Sequence, residues 1–208
     1  LEAITKHDLI KFLTEGNILR FGTYTLKSGG KSPFFINLGD ICSGKAYQFI
    51  GRAYAEHLQR YFGPVNILYG PPYKAISLST AAAMAYEQLF NKRIYTLYSR
   101  KEEKAHGEKG VFVGKAPIGI DRIVVIDDVL TTGGTKLEAI EAVEKTFNVR
   151  VNGILVVVDR RVKNADSGLG SYAFKAMLSL PDIVSYLISI RSSHAKVMED
   201  FYEGRYVG

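Results

Sequence analysis

Apolar residues first recur at helical spacing at Leu9, Ile10, Phe12 and Leu13, behind a Thr5/Asp8 pair that reads as a variant capping box, and Gly16-Asn17 closes that helix. The period then drops to two. Residues 21–27 alternate like a strand, residues 28–33 read as a turn rich in Ser and Gly, and residues 34–38 return, so a β-hairpin is predicted ahead of the main fold. Helical spacing resumes over about 43–62, with Tyr47, Ile50, Tyr54 and Leu58 on one face. From Val65 the rhythm becomes strand, tight turn, helix. Residues 66–70 are a strand, 71–73 a loop, 74 to about 90 a helix of small residues, and 93–99 a strand again. Ile123 to Ile126 is too short a run for a helix but long enough for a fully buried strand ending in two acids, Asp127 and Asp128. Five small residues, 131–135, then lead into a helix from 136 to about 146, and an apolar strand over 151–158 ends in Asp159, Arg160 and Arg161.

This alternation predicts an α/β fold, a central mostly parallel sheet flanked by helices, with a small N-terminal β-hairpin hood over about residues 1–40. All of residues 1–208 are expected in a single domain, since no repeat, linker or low-complexity tract interrupts them. Ligands in such sheets bind beyond the carboxyl ends of the strands. The residues following strand ends at 70, 99, 126 and 158 should therefore converge on one face.

Composition narrows the partners. A net charge of +6 favours anions: nucleic acid, acidic lipid or small phosphorylated substrates. The basic residues are scattered except over 93–115. No apolar run is long enough to span a membrane, and the first residues lack the apolar core of a signal peptide, so a cytoplasmic location is expected. Cys42 is the only cysteine, which rules out a disulfide within the chain. With no histidine near it in sequence, it reads as a small buried hydrophobe rather than a nucleophile.

The strand, acid pair and small-residue turn of 123–135 describe a phosphate site. Glycine lets the backbone curl so that its N–H groups point inward, and the positive end of the following helix adds to them. The spacing is neither that of the P-loop nor that of the dinucleotide fingerprint. At this point the stretch resembles the phosphoribosyl-pyrophosphate (PRPP) loop of the type I phosphoribosyltransferases. Four more stretches share the resemblance. Lys27-Ser-Gly-Gly-Lys-Ser-Pro-Phe-Phe-Ile-Asn37 is similar to the hood of the orotate-using branch, with Gly30 in place of the usual Arg and Ile36 in place of a second Phe. Gly70-Pro-Pro-Tyr-Lys74 resembles that branch's Gly-Pro-Ala-Tyr-Lys loop. Arg100-Lys-Glu-Glu-Lys-Ala-His-Gly-Glu-Lys-Gly110 resembles its lid, and Asp159-Arg160 its Asp-Arg pair, with Arg161 where Gln is usual. Over 163–175 the chain is shorter than that pattern and richer in Gly and Ser, and the resemblance weakens.

The resemblance implies transfer of ribose 5-phosphate from PRPP to N1 of orotate. PRPP would be held by Lys27, Tyr73, Lys74, Arg100, Lys101, Lys104, His106, Asp127, Asp128, Val129, Leu130, Thr131, Thr132, Gly133, Gly134 and Thr135. Lys104, His106, Asp127 and Asp128 would be catalytic, and Lys27, Phe35, Ile36, Thr131 and Arg160 would bind orotate. A bidentate guanidinium suits a carboxylate better than an ammonium does. Mg2+ is implied as cofactor, held mainly by substrate oxygens and water, with no protein metal ligand assigned. A mobile lid over 100–110 that covers the partner's site implies a homodimer; neither nucleic acid nor membrane is expected as a partner. Two alternatives stay open: an adenine or other purine phosphoribosyltransferase, whose loop is close to Thr132-Gly-Gly-Thr135, and a PRPP-sensing transcription regulator on the same fold.

Overall fold

The computed structural model describes residues 2–26, 29–100 and 111–207. Among them, α1 (Lys6–Glu15), β1 (Leu19–Thr25), β2 (Lys31–Ile36) and a 3-10 turn at Leu38–Asp40 come first. Then follow α2 (Gly44–Tyr61), β3 (Ile67–Gly70), α3 (Lys74–Phe90), β4 (Tyr95–Ser99), β5 (Phe112–Gly114), β6 (Ile123–Leu130), α4 (Gly134–Phe147), β7 (Val151–Asp159) and β8 (Phe174–Ser179). The chain ends with α5 (Leu180–Ser189) and α6 (Ala195–Tyr202).

Strands β5 to β8 and β3, β4 form one sheet in the order β5-β4-β3-β6-β7-β8, parallel except for the edge strand β5. β1 and β2 pair antiparallel as a separate hood. The expected mostly parallel sheet with helices on both faces is therefore what forms. Alternation along each strand divides the core in two. Leu68, Val124, Ile126, Leu155 and Val157 face a cluster shared with α2, α3 and α5, while Ile67, Tyr69, Val125, Ile154 and Val156 face Ile140 and Val143 of α4. A sheet buried on both faces needs apolar residues at successive positions, which explains the near-continuous runs in β6 and β7.

The hood is tied down from three directions. The Thr5/Asp8 capping box forms both of its hydrogen bonds and starts α1, whose Lys6 pairs with Asp182 of α5 at 2.7 Å. His194, just before α6, stacks on Phe21 at 4.6 Å, and Phe201 meets Phe34 edge-on at 5.3 Å.

Several sequence expectations shift. The hairpin strands begin two or three residues earlier than the alternation predicts. Ser32 and Pro33 join β2 because the buried Ser32 hydroxyl donates to Phe34 O at 2.8 Å, and Leu26 N–H closes the turn onto Gly30 O at 2.8 Å. β6 does not stop at the acids: Asp127 pairs with Val156 and Val129 with Val158, because β7 alongside runs on to Asp159. α4 starts two residues early, where Gly133 at φ +78° turns the chain into the helix. The three-residue β5 carries no readable alternation. Cys42 is exposed rather than buried: Ile41 takes the inward position of an extended link, so its neighbour faces outward before Ser43 caps α2.

Candidate active site

β3 has β4 on one side and β6 on the other, so the order of strands reverses between β3 and β6. This is the switch point at which an α/β sheet opens a crevice beyond its strand ends. The loop 71–73 leaves one lip of that crevice and the acid pair of β6 forms the other.

Each acid carries its own lysine. Asp128 Oδ2 lies 2.7 Å from Lys74 Nζ, at the start of α3, and Asp127 Oδ2 lies 2.7 Å from Lys136 Nζ, in the first turn of α4. The two pairs differ in burial, since the Lys74 side chain is 49% exposed and the Lys136 side chain 6%. Lys74 Nζ is also 3.5 Å from Asn37 Oδ1, at the foot of the hood. The backbone under the acids is pinned by the Tyr54 hydroxyl, which donates to Asp127 O at 2.8 Å. Burial pushes the Asp127 carboxyl above its ordinary range; Lys136 pulls it back and the neighbouring Asp128 adds to the rise.

Beyond the acids, Thr131, Thr132, Gly134 and Thr135 are exposed, and α4 begins with no side-chain cap. Its first amides and helix dipole therefore face the crevice. The side chains of Val129 and Leu130 pack into the two cores, so these two residues offer only backbone to a ligand. The turn is backed by a second one. A Cβ on Gly133 would lie 2.3 Å from Ser167 O, and a Cβ on Gly168 would lie 2.2 Å from Thr132 O. Two backbones thus interlock at glycines, both at positive φ.

On the other lip, Tyr73 is 64% exposed. Arg100 lines a cleft of about 360 Å3 with Tyr69, Ser99, Asp127, Thr135 and Glu138. Its floor holds the buried Tyr69–Ser99 hydroxyl pair at 2.9 Å. A larger groove, about 550 Å3, runs between α2 and α3, but the one charged residue in its lining, Arg52, pairs with Glu56, and it holds no acid.

Arg160 follows β7, its backbone N–H on Leu130 O at the end of β6, and its side chain touches the hood. Its guanidinium lies 5.0 Å over the Phe34 ring and 3.4 Å from Ser32 Oγ, and burial lowers its pKa from the ordinary value. Arg161 is engaged elsewhere, with both oxygens of Asp159 at 2.9 and 2.7 Å, so the two arginines do not compete. Phe35 and Ile36 point to opposite faces of β2, one exposed and one buried in the core. They cannot sandwich one planar ring with both side chains; Phe35 can offer a ring and Ile36 only its backbone. Lys27, Lys101, Lys104 and His106 lie outside the described residues.

Four residues of this site escaped the sequence reading: Lys136, Tyr54, Tyr69 and Gly168. Only Lys136 left a signal. A lysine in the first turn of a helix opposes the helix dipole, and so calls for an acid nearby. Among the described residues no three His, Cys, Asp or Glu groups cluster as a metal cage would require. Each acid of the pair is engaged by a lysine, so an ion here would take its ligands from substrate oxygens and water.

No protein-family model matches the chain. The orotate phosphoribosyltransferase of Agathobacter rectalis is 34% identical over 206 residues, 94% of this chain and 91% of that protein. That of Clostridium acetobutylicum is 32% identical over 96% of this chain and 93% of that one. Among solved structures, orotate phosphoribosyltransferase of Francisella tularensis superposes with a TM-score of 0.77 at 27% identity, covering 96% of this chain and 98% of that one.

Proposed function

Because the chain belongs to the orotate phosphoribosyltransferase family, we propose that the crevice between β3 and β6 binds PRPP while β2 and Arg160 select the base. The enzyme joins orotate to the ribose 5-phosphate of PRPP, forming orotidine 5′-monophosphate and pyrophosphate in pyrimidine biosynthesis.

The residues divide the work by chemistry. The amides and hydroxyls of residues 131–135 hold the 5-phosphate at the start of α4. Asp127 and Asp128 accept hydrogen bonds from the ribose hydroxyls, and their charge favours the cationic sugar that forms as the bond to pyrophosphate breaks. Lys74, Tyr73, Arg100 and Lys101 bind pyrophosphate from the loop after β3 and from the lid, where Lys104 and His106 meet it as it departs. Mg2+, when bound, neutralises charge on the pyrophosphate oxygens. Arg160 grips the orotate carboxylate, the exposed Phe35 ring lies against the pyrimidine, and Lys27, Thr131 and the backbone at Ile36 complete its seat. Orotate N1, giving up its proton to solvent, then attacks the anomeric carbon, and the electron pair of the breaking bond leaves with pyrophosphate.

The observation that carries this reading is the meeting, at the ends of neighbouring strands, of two lysine-paired acids, an uncapped helix start and a half-buried arginine that touches the hood. The same arginine argues against adenine, which has no carboxylate for it. Residues 1–208 act as one domain, in a homodimer whose lid, 100–110, closes over the partner's site and excludes water from the activated sugar. The proposed compartment is the cytoplasm; among the described residues no helix is long and apolar enough to cross a membrane. Turnover is measured with PRPP and either orotate or adenine. Activity with orotate alone is expected, and activity with adenine alone would overturn the assignment.

A further inference from the structure

The two lysines at the acid pair are not equivalent. Lys74 is half exposed and lies at the crevice lip, where an incoming pyrophosphate can draw it off Asp128. Lys136 is buried beneath the loop, 2.7 Å from Asp127, in the helix turn whose dipole repels it. Nothing in the binding of the 5-phosphate calls for a cation at that depth. Its position makes sense as a fixed counter-charge for Asp127, which would otherwise stand buried beside a second carboxylate.

We infer that Lys136 is a positioning residue: it holds Asp127 charged and in one orientation, ready for the ribose hydroxyls before and during PRPP binding. The inference rests on the proposed contact between Asp127 and the ribose. The groups around Asp127 support it. Asp128 on the same strand raises the carboxyl, and Tyr54 from α2 meets the backbone rather than the carboxylate. Tyr69 on β3 is itself pushed up by burial, and so stays neutral. Glu138 of α4 and Arg100 share the cleft with opposite charges, and Lys74 is engaged by Asp128. Among the described residues, Lys136 is thus the cation in direct contact with the Asp127 carboxylate.

The test is the pH profile of kcat/KM for PRPP at saturating orotate, between pH 5.5 and 9, in Lys136→Met and Lys136→Gln. Both remove the charge, and Gln keeps a hydrogen-bond donor in case the apolar variant does not fold. Without the charge the acid limb moves to higher pH, so the loss at the low end exceeds that at the high end by roughly tenfold or more. Lys136→Arg keeps the limb near its wild-type position. A uniform loss at every pH, or an unmoved limb together with an Asp127 carboxyl that titrates as in wild type, overturns the inference. A carbon-13 NMR titration of the Asp127 carboxyl in the free protein separates the two layers. If it titrates as in wild type once Lys136 is neutralised, the inference fails. If it titrates higher while the kinetic limb stays put, the ribose contact of Asp127 fails instead.

Discussion

Replacing Gly168 by alanine puts a methyl carbon 2.2 Å from Thr132 O, where ordinary contact begins near 3.4 Å, at a residue whose φ is +64°. Two costs follow. An L-residue in the left-handed region loses roughly 1–2 kcal/mol, and forcing extra volume into a closed contact costs roughly 1–3 kcal/mol more. Gly170 separates them, because its φ is +56° with nothing within 4 Å of an added Cβ. Gly170→Ala should therefore lose only the conformational part, about 1–2 kcal/mol, and Gly168→Ala about 2–5 kcal/mol in all. Relief of the clash requires the two turns to part by about 1 Å, which carries Thr131 and Thr132 away from the proposed seat of the 5-phosphate. A displacement of that size is worth on the order of a hundredfold in catalysis, so kcat/KM for PRPP falls sharply in Gly168→Ala and hardly at all in Gly170→Ala. Urea unfolding and steady-state kinetics on both variants supply the numbers. Equal stability losses together with an unchanged kcat/KM for PRPP would refute the interlock as the support of the phosphate loop.

Three further outcomes are expected. Arg160→Met raises KM for orotate by roughly 10- to 100-fold, the worth of a charged hydrogen-bonded pair, while leaving KM for PRPP within about threefold; a parallel rise in both would remove Arg160 from base selection. Lys104→Ala lowers kcat far more than it weakens orotate binding, read by single-turnover kinetics beside equilibrium binding, and an unchanged kcat would exclude it from the chemistry. Burial alone would raise the Asp182 carboxyl, but hydrogen bonds from Lys6 and Ser179 outweigh it and hold it below the ordinary 3.8. A depressed carboxyl stabilises the fold above its unfolded value and loses that contribution as pH falls through the folded one. Asp182→Asn should thus cost about 1–2 kcal/mol at pH 7, with a gap to wild type in urea unfolding that closes as the medium is acidified below pH ~4.

What could be read from the sequence was whatever is encoded locally. β6 and β7 announced themselves as apolar runs because both faces of the sheet are covered, and the capping box at Thr5 and Asp8 fixed the start of α1 to the residue. The acid pair and the small-residue turn were equally visible, since both lie within one strand–turn–helix unit. Features that depend on a distant neighbour were not. The extension of β6 through Asp127 and Asp128 depends on the length of β7, and the exposure of Cys42 on the direction forced by Ile41. The opposed faces of Phe35 and Ile36 follow from the alternation of any strand, and only which of the two is buried depends on how β2 is placed against the core. Gly168 sits in a segment with no readable pattern, and its role appears only once Thr132 O is beside it. Lys136 is intermediate: its helix position is awkward by itself, but only the fold shows which carboxylate it answers.

The most direct test of the division between phosphate grip and base choice is a structure of the enzyme with orotidine 5′-monophosphate bound. The 5′-phosphate is expected against the amides of residues 131–135, the ribose hydroxyls on Asp127 and Asp128, and the pyrimidine carboxylate on the Arg160 guanidinium. A phosphate bound away from the start of α4, or a base carboxylate that leaves Arg160 on Phe34 and Ser32 without touching it, would contradict the account.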